Sequence, residues 1–89
     1  MYTPVLAEFI GTSLLIGAIA FTANPTLIVA AFALAVGLGG KISGGHFNPA
    51  VTGWSLLSGK ISQEKAMMYI LAQFSAGIFI YLMSSVFTV

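Results

Sequence analysis

Three long apolar runs, each with at most two charged side chains, fill most of the 89-residue chain and restrict what it can fold into. They cover residues 4–21, 25–41 and 64–87. As helices they would reach roughly 25–36 Å, and the hydrocarbon core of a bilayer is about 30 Å thick. With only 6% charged residues, the chain cannot cover the surface of a small soluble domain. The sequence therefore predicts an all-α, multi-pass integral membrane protein surrounded by lipid.

The few polar residue types exclude several classes of function. The chain has no cysteine, one histidine, three lysines and two glutamates. Disulfides and thiol chemistry are therefore excluded, and a metal site or a bound cofactor is not expected. No nucleophile–base set, P-loop or basic patch is present, so we expect neither an enzyme nor a nucleic-acid partner.

Helix starts are marked by cap residues followed by proline. "TP" at 3–4 and "NP" at 24–25 each place a cap before a proline at the first helical position, and Ser62 is a cap candidate for the last run. Residues 1–22 also share the small-residue "AIA" pattern of a signal peptide. Because no Lys or Arg precedes the apolar stretch and Glu8 interrupts it, we expect a retained helix.

Small residues recur every four positions in the apolar runs. Membrane helices associate by close backbone contact, which small side chains permit. The pattern predicts a tightly packed bundle, folded as one domain over residues 1–89. The small residues are Ala7 and Gly11, Ala31, Ala35 and Gly39, and Ala72 and Ala76.

The stretch "KISGGHFNPAVTGWSLL" at 41–57 separates the second and third runs. Asn48 is a strong N-cap, Pro49 suits the first helical position and Gly59 is a natural stop. A helix over 48–58 reaches only some 16 Å, about half of the bilayer. Irregular backbone such as "SGGHF" survives at membrane depth only against water or protein. The sequence predicts a re-entrant half-helix that faces a water-filled pathway (the wet path), as in channels and transporters.

The chemistry expected of this segment comes from its backbone and one amide. The glycines are expected to let the backbone run extended, so that the carbonyls of Gly44, Gly45 and His46 form a ladder of acceptors. Asn48 can turn its amide N–H toward the path as a donor. The positive end of the half-helix would repel cations and protons.

At these residues the chain resembles a known family. "SGGHFNPAVTG" is similar to the first NPA loop of the aquaporins, the major intrinsic protein family. "AEFIGT" at 7–12 and "YILAQFSAG" at 69–77 are similar to the family's first-helix and third-helix motifs. The resemblance covers essentially the whole chain. It implies half of an aquaporin fold, with three transmembrane helices and one re-entrant half-helix. Val51 follows the motif where the family's second repeat usually has Arg, so the first repeat is implied.

The resemblance also implies roles for particular residues. Glu8 and Gln73 would brace the loop, although Glu8 as a proton-relay carboxylate is the alternative reading. His46 would lie at the inner vestibule, as a neutral loop residue or as a pH sensor. The residues implied to line or select in the pore are Gly44, Gly45, His46, Asn48, Pro49, Ala50, Val51 and Ile28.

The implied constriction is apolar. Ile28 stands where the family's water channels carry an aromatic residue, and the Arg of the second repeat is missing. Two copies of the chain would line the narrow point with two Ile28 and two Val51 side chains. Such a filter offers few hydrogen bonds to a dehydrating solute, so passage of small neutral solutes such as glycerol is expected beside water.

The positions of the lysines bear on how the chain inserts and assembles. The N-terminus and the three lysines, Lys41, Lys60 and Lys65, fall on one side of the membrane, which the positive-inside rule makes cytoplasmic. Family members pair two inverted repeats. Either an antiparallel homodimer, alone or within a tetramer of pores, or a separate half-channel protein would supply the second one. The lysine bias disfavours free dual insertion without forbidding it.

The leading interpretation is a passive channel subunit for water or small uncharged solutes. One alternative is a small dual-topology secondary transporter, for which Glu8 is the candidate membrane-embedded carboxylate. Another is a non-conducting membrane scaffold.

Overall fold

The computed structural model describes residues 2–87, and most of them lie in four helices. These are α1 (Tyr2–Thr22), α2 (Pro25–Ser43), α3 (Pro49–Leu57) and α4 (Gln63–Phe87). The 21, 19 and 25 residues of α1, α2 and α4 are long and apolar enough to cross a membrane, whereas α3 has only 9. The chain is an integral membrane protein with an all-helical fold and three helices that can span the bilayer, as predicted.

The caps predicted at the starts of α2 and α4 both form. The side chain of Asn24 accepts a hydrogen bond from the Leu27 amide at 3.2 Å at the start of α2. Before α4, the Ser62 hydroxyl accepts one from the Lys65 amide at 3.1 Å. Both bonds satisfy a backbone donor that has no partner within its own helix.

The predicted start of the first helix is wrong. Helix α1 already includes Tyr2, the first described residue, so Thr3 lies within the helix instead of capping it. Pro4 is tolerated there because the first four amides of a helix have no acceptor within the helix, and the N–H that proline lacks is one of these.

The long helices pack through small residues and turn large ones outward. α1 lies between α2 and α4 and packs against both. Gly11 of α1, Ala35 of α2, and Ala72 and Ala76 of α4 are buried. Such contacts let the helices approach closely. Close packing is needed because the hydrophobic effect does not drive helices together in lipid. Large apolar side chains that point away from the bundle include Leu6, Val29, Leu38, Leu71 and Ile78.

The short helix α3 begins deep in the bundle. It packs on α4, where the Thr52 hydroxyl accepts a hydrogen bond from the Gln73 amide at 2.9 Å. Gln73 lies about 15 Å along α4 from Gln63, near the middle of that helix. Because the chain must return from Leu57 to Gln63, α3 runs from the middle of the bundle back toward the start of α4.

Candidate functional site

A buried glutamate holds the loop between α2 and α3. The Glu8 side chain is 0% exposed. Its Oε2 accepts hydrogen bonds from the Ser43 hydroxyl at 2.6 Å and the His46 amide at 3.1 Å. Its Oε1 accepts from the Phe47 amide at 2.7 Å and from Gln73 Nε2 at 2.9 Å. A carboxylate offers about four acceptor positions, so these donors use all of them.

The loop turns by left-handed backbone, and the expectation of extended glycines is wrong. Gly44 ends α2 with φ +93°, and its amide donates to the Gly40 carbonyl at 2.8 Å. Gly45 follows with φ +65°. A left-handed residue reverses the chain at the end of a helix, and glycine adopts it without steric cost. Phe47 also has a positive φ of 51°, and the hydrogen bond that its backbone N–H donates to Glu8 holds it in this unfavourable conformation.

The Phe47 ring fixes the loop to the bundle. It is 3% exposed and lies against Gly11 of α1 and Gly39 of α2. A Cβ added at Gly11 would lie 2.1 Å from Phe47 Cε1, and one added at Gly39 would lie 3.1 Å from Phe47 Cζ. The two glycines therefore leave the space that this ring occupies.

Asn48 starts α3 and keeps its amide donors free. Its Oδ1 accepts from the Ala50 amide at 2.7 Å, which caps the helix, and Pro49 occupies the first helical position. Within residues 2–87 its Nδ2 makes no hydrogen bond to protein, and the carbonyls of Gly44, Gly45 and His46 accept none. These three residues thus offer free carbonyl acceptors, and Asn48 adds a free NH₂ group with two N–H donors.

A cleft opens in front of Asn48, on the side away from α3. It has a volume of about 430 Å³, and α1 and α4 form its walls. From Gln73 the α4 wall continues through Gly77 to Tyr81, one and two turns further along. Thr12 of α1 lines the same cleft. The cleft therefore occupies the half of the bundle that the short helix does not enter.

Two residues of the expected constriction lie apart from each other. Ile28 is half-buried in the first turn of α2, about 22 Å along the helix from Ser43. Val51 is 40% exposed on α3, beyond the loop. The structure brings Glu8 and Gln73 together with the loop but leaves Ile28 at the other end of α2.

The sequence reasoning missed three site residues, Ser43, Thr52 and Tyr69, of which Ser43 bonds Glu8 as described above. Thr52 is 0% exposed and bonds both Gln73 and the His46 ring. Tyr69 is also 0% exposed, and its hydroxyl donates to the Ser43 carbonyl at 2.6 Å. Thr52 follows Asn48 by four residues, which places both on one face of the helix, and that spacing was the available signal.

The comparison with known families agrees with this architecture. Residues 1–89 match the family model for major intrinsic proteins. The chain belongs to the major intrinsic protein family. The motifs quoted from the sequence are therefore family motifs, and in the structure they surround the Glu8 cluster and the start of α3.

Several curated members of the major intrinsic protein family are similar to this chain. The glycerol uptake facilitator protein-like 6 of Lactiplantibacillus plantarum is 42% identical over 81 residues, covering 76% of this chain and 36% of that protein. The aquaglyceroporin AqpS of Rhizobium meliloti is 34% identical over 89 residues, covering 82% and 38%. Aquaporin TIP1-2 of Musa acuminata is 41% identical over 87 residues, covering 76% and 34%.

The chain spans little more than a third of the length of these relatives. No solved structure matches it.

Proposed function

We propose that the chain is a passive channel subunit that conducts water or small uncharged solutes. The observation that carries this proposal is the row of unpartnered carbonyls at Gly44, Gly45 and His46 beside the free amide of Asn48. Backbone polar groups without partners are tolerated at membrane depth only where they face water or buried protein. A permeant would pass from these acceptors to the Asn48 donor in single file, with no covalent chemistry.

In this proposal α3 is a re-entrant half-helix. Its nine residues reach about 14 Å, half of the hydrocarbon thickness, and it begins beside the middle of α4. The positive end of its dipole would then lie at the bilayer midplane, where it opposes the entry of cations and protons.

We propose the cleft in front of Asn48 as the docking site for the inverted second half of the channel. It lies between α1 and α4, in the half of the membrane that α3 does not occupy. A second copy in the opposite orientation would bring its own α3 toward Asn48 and its Val51 toward Ile28, closing one pore per antiparallel pair. Such pairs can group as a tetramer of pores. A separate half-channel protein is the other source of the inverted half.

The proposed permeants include glycerol-like solutes as well as water. Ile28 and Val51 supply no hydrogen bonds at the constriction, which lowers the discrimination against a larger neutral solute. Two similar proteins are named for glycerol uptake and as an aquaglyceroporin, which supports the same class of permeant.

The proposed orientation of the chain in the membrane is based on the positions of its lysines. Lys41 lies near the end of α2, and Lys60 and Lys65 flank the start of α4, so all three mark the end of the bundle where α1 begins. This end is proposed to face the cytoplasm in at least part of the population.

The hydrogen bonds of Glu8 argue against the transporter alternative. Proton coupling needs a carboxylate that binds and releases a proton during transport. Four donors already occupy the acceptor positions of Glu8, two of them loop amides, so adding a proton would break the bonds that hold the loop.

The proposal predicts that Asn48→Asp lowers the permeability of proteoliposomes made with the purified chain by about tenfold. Aspartate keeps the cap but removes the amide donor, and one lost hydrogen bond in the barrier has about this effect. Asn24→Asp is the matched control. Asn24 caps α2 in the same way before Pro25, far from the loop, so its variant should swell like the wild type.

The readout is the swelling rate in an osmotic gradient of water or glycerol. Wild-type vesicles should swell faster than empty ones. Equal rates would contradict a pore built from copies of this chain, and a non-conducting scaffold would then explain the fold better.

A further inference from the structure

Thr52 connects the buried cluster to the only histidine of the chain. Its hydroxyl oxygen lies 2.9 Å from Gln73 Nε2 and 2.8 Å from His46 Nδ1. The side chain is fully buried in the first turns of α3. Neither the family motifs nor the proposed permeation path assigns this threonine a role.

The direction of each hydrogen bond in this chain follows from Glu8. Because a carboxylate only accepts, the side-chain amide of Gln73 must turn its nitrogen toward Glu8. The second hydrogen of the same nitrogen points to the Thr52 oxygen, which accepts it. The hydroxyl hydrogen of Thr52 then remains for His46 Nδ1. A neutral imidazole that accepts at Nδ1 carries its proton on Nε2.

We propose that Thr52 is a positioning residue that fixes the His46 imidazole with its proton on Nε2. The buried Glu8 carboxylate thereby determines which ring nitrogen of His46 carries the proton, although its oxygens do not contact the imidazole ring. For its effect on permeation this inference rests on the proposed channel function, whereas its effect on the imidazole does not.

The other ring atoms show why the position of this proton matters. His46 is half-buried, and its ring meets Tyr69 edge-on with ring centroids 5.1 Å apart. Its Nε2 has no protein partner among residues 2–87 and lies beside the exposed Gly44, where an added Cβ would come within 3.5 Å of it. The loop therefore offers an N–H donor next to its free carbonyls, and a permeant with a hydroxyl group can use both.

The test is the ¹⁵N NMR spectrum of the full chain in lipid bilayers, with labelled histidine and mildly alkaline buffer. One histidine gives one pair of ring nitrogens, so assignment is direct. In the wild type Nε2 should be protonated and Nδ1 unprotonated. In Thr52→Val the ratio of Nδ1–H to Nε2–H tautomers should rise by about fivefold, the factor that one neutral hydrogen bond contributes.

Two further variants separate the hydroxyl from general effects on folding. Thr52→Ser keeps a hydroxyl and should retain the wild-type tautomer. Thr22→Val removes a hydroxyl that bonds the Ala18 carbonyl at the far end of α1, and should also leave the tautomer unchanged. A proton on Nδ1 in the wild type, or an unchanged ratio in Thr52→Val, would overturn the proposal. The wild-type spectrum decides even if Thr52→Val does not fold.

Swelling of the same proteoliposomes tests the consequence for permeation. Thr52→Val should swell about twofold more slowly than Thr22→Val, with recovery in Thr52→Ser. A shifted tautomer with unchanged swelling would overturn the role of Thr52 in permeation. If wild-type vesicles do not swell at all, the channel function fails, and the spectra still decide whether Thr52 positions His46.

Discussion

Glu8→Gln is expected to lower the free energy of unfolding by about 3 kcal/mol or more and to abolish permeation. Glutamine matches glutamate in shape but replaces one acceptor oxygen by an NH₂ group. Whichever oxygen is replaced, two donors of the cluster then face another donor. Two charge-assisted hydrogen bonds are lost, each worth about 1.5–3 kcal/mol. The loop amides of His46 and Phe47 depend on these bonds for their position.

The measurement is chemical unfolding in detergent micelles, followed by swelling of proteoliposomes. Glu64→Gln is the matched control because Glu64 is exposed in the first turn of α4. Its loss removes only a favourable interaction with the helix dipole, about 0.3–1 kcal/mol. If Glu8→Gln were as stable as the wild type and lost only an uptake driven by a proton gradient, the transporter interpretation would replace the channel.

Gly11→Ala is expected to lower the free energy of unfolding by about 2–3 kcal/mol. The new methyl group would overlap the Phe47 ring, 2.1 Å from Cε1. The ring has little space to retreat because it is 3% exposed and also contacts Gly39. Overpacking of this kind typically costs about 1–3 kcal/mol. The displaced Phe47 would pull its amide away from Glu8, so permeation should fall as well.

Gly37→Ala provides the control for the same chemical change. Apart from its chain neighbours and the backbone of its own helix, no atom lies within 4 Å of a Cβ added at Gly37, which faces outward from α2. Its stability should stay the same or rise by up to about 1 kcal/mol, because alanine favours a helix over glycine. Unfolding midpoints in micelles compare the two variants. Equal midpoints would show that the contact between Gly11 and Phe47 does not hold the loop.

The helices were predictable because, in lipid, helix formation depends on local features of the sequence. A run of apolar residues about as long as the bilayer is thick has to form a helix, since no water satisfies its backbone. The caps at Asn24, Asn48 and Ser62 are also local, because each bonds an amide two or three residues ahead. Thr3 had the same local pattern, but the helix extends past it to Tyr2.

The Glu8 cluster was predictable only through the family resemblance. Its partners lie 35 to 65 residues away in sequence, at Ser43, His46, Phe47 and Gln73. Helical periodicity does not indicate which of these donors will meet one carboxylate. The resemblance pointed to Glu8 and Gln73, whereas Ser43 and Thr52 became apparent only from the three-dimensional contacts.

The backbone conformation of the loop also could not be predicted from the local sequence. Adjacent glycines allow extended and left-handed backbone about equally well. The choice depends on how α2 ends, and the left-handed Gly44 follows from its hydrogen bond to Gly40. The positive φ of Phe47 depends in turn on the acceptor that Glu8 provides.

The most direct measurement asks whether the start of α3 faces water at mid-membrane depth. The chain has no cysteine, so a single Ala50→Cys variant gives one thiol in the first turn of α3. A charged, membrane-impermeant thiol reagent reacts with the thiolate, which forms only where water reaches it. Leu34→Cys is the control, because Leu34 lies midway along α2 and is 51% exposed on the outside of the bundle.

In proteoliposomes the account predicts that the thiol at position 50 reacts at least about tenfold faster than the thiol at position 34. Equal, slow labelling of the two positions would place the start of α3 in lipid or dry protein and would contradict the wet path from which the channel is inferred.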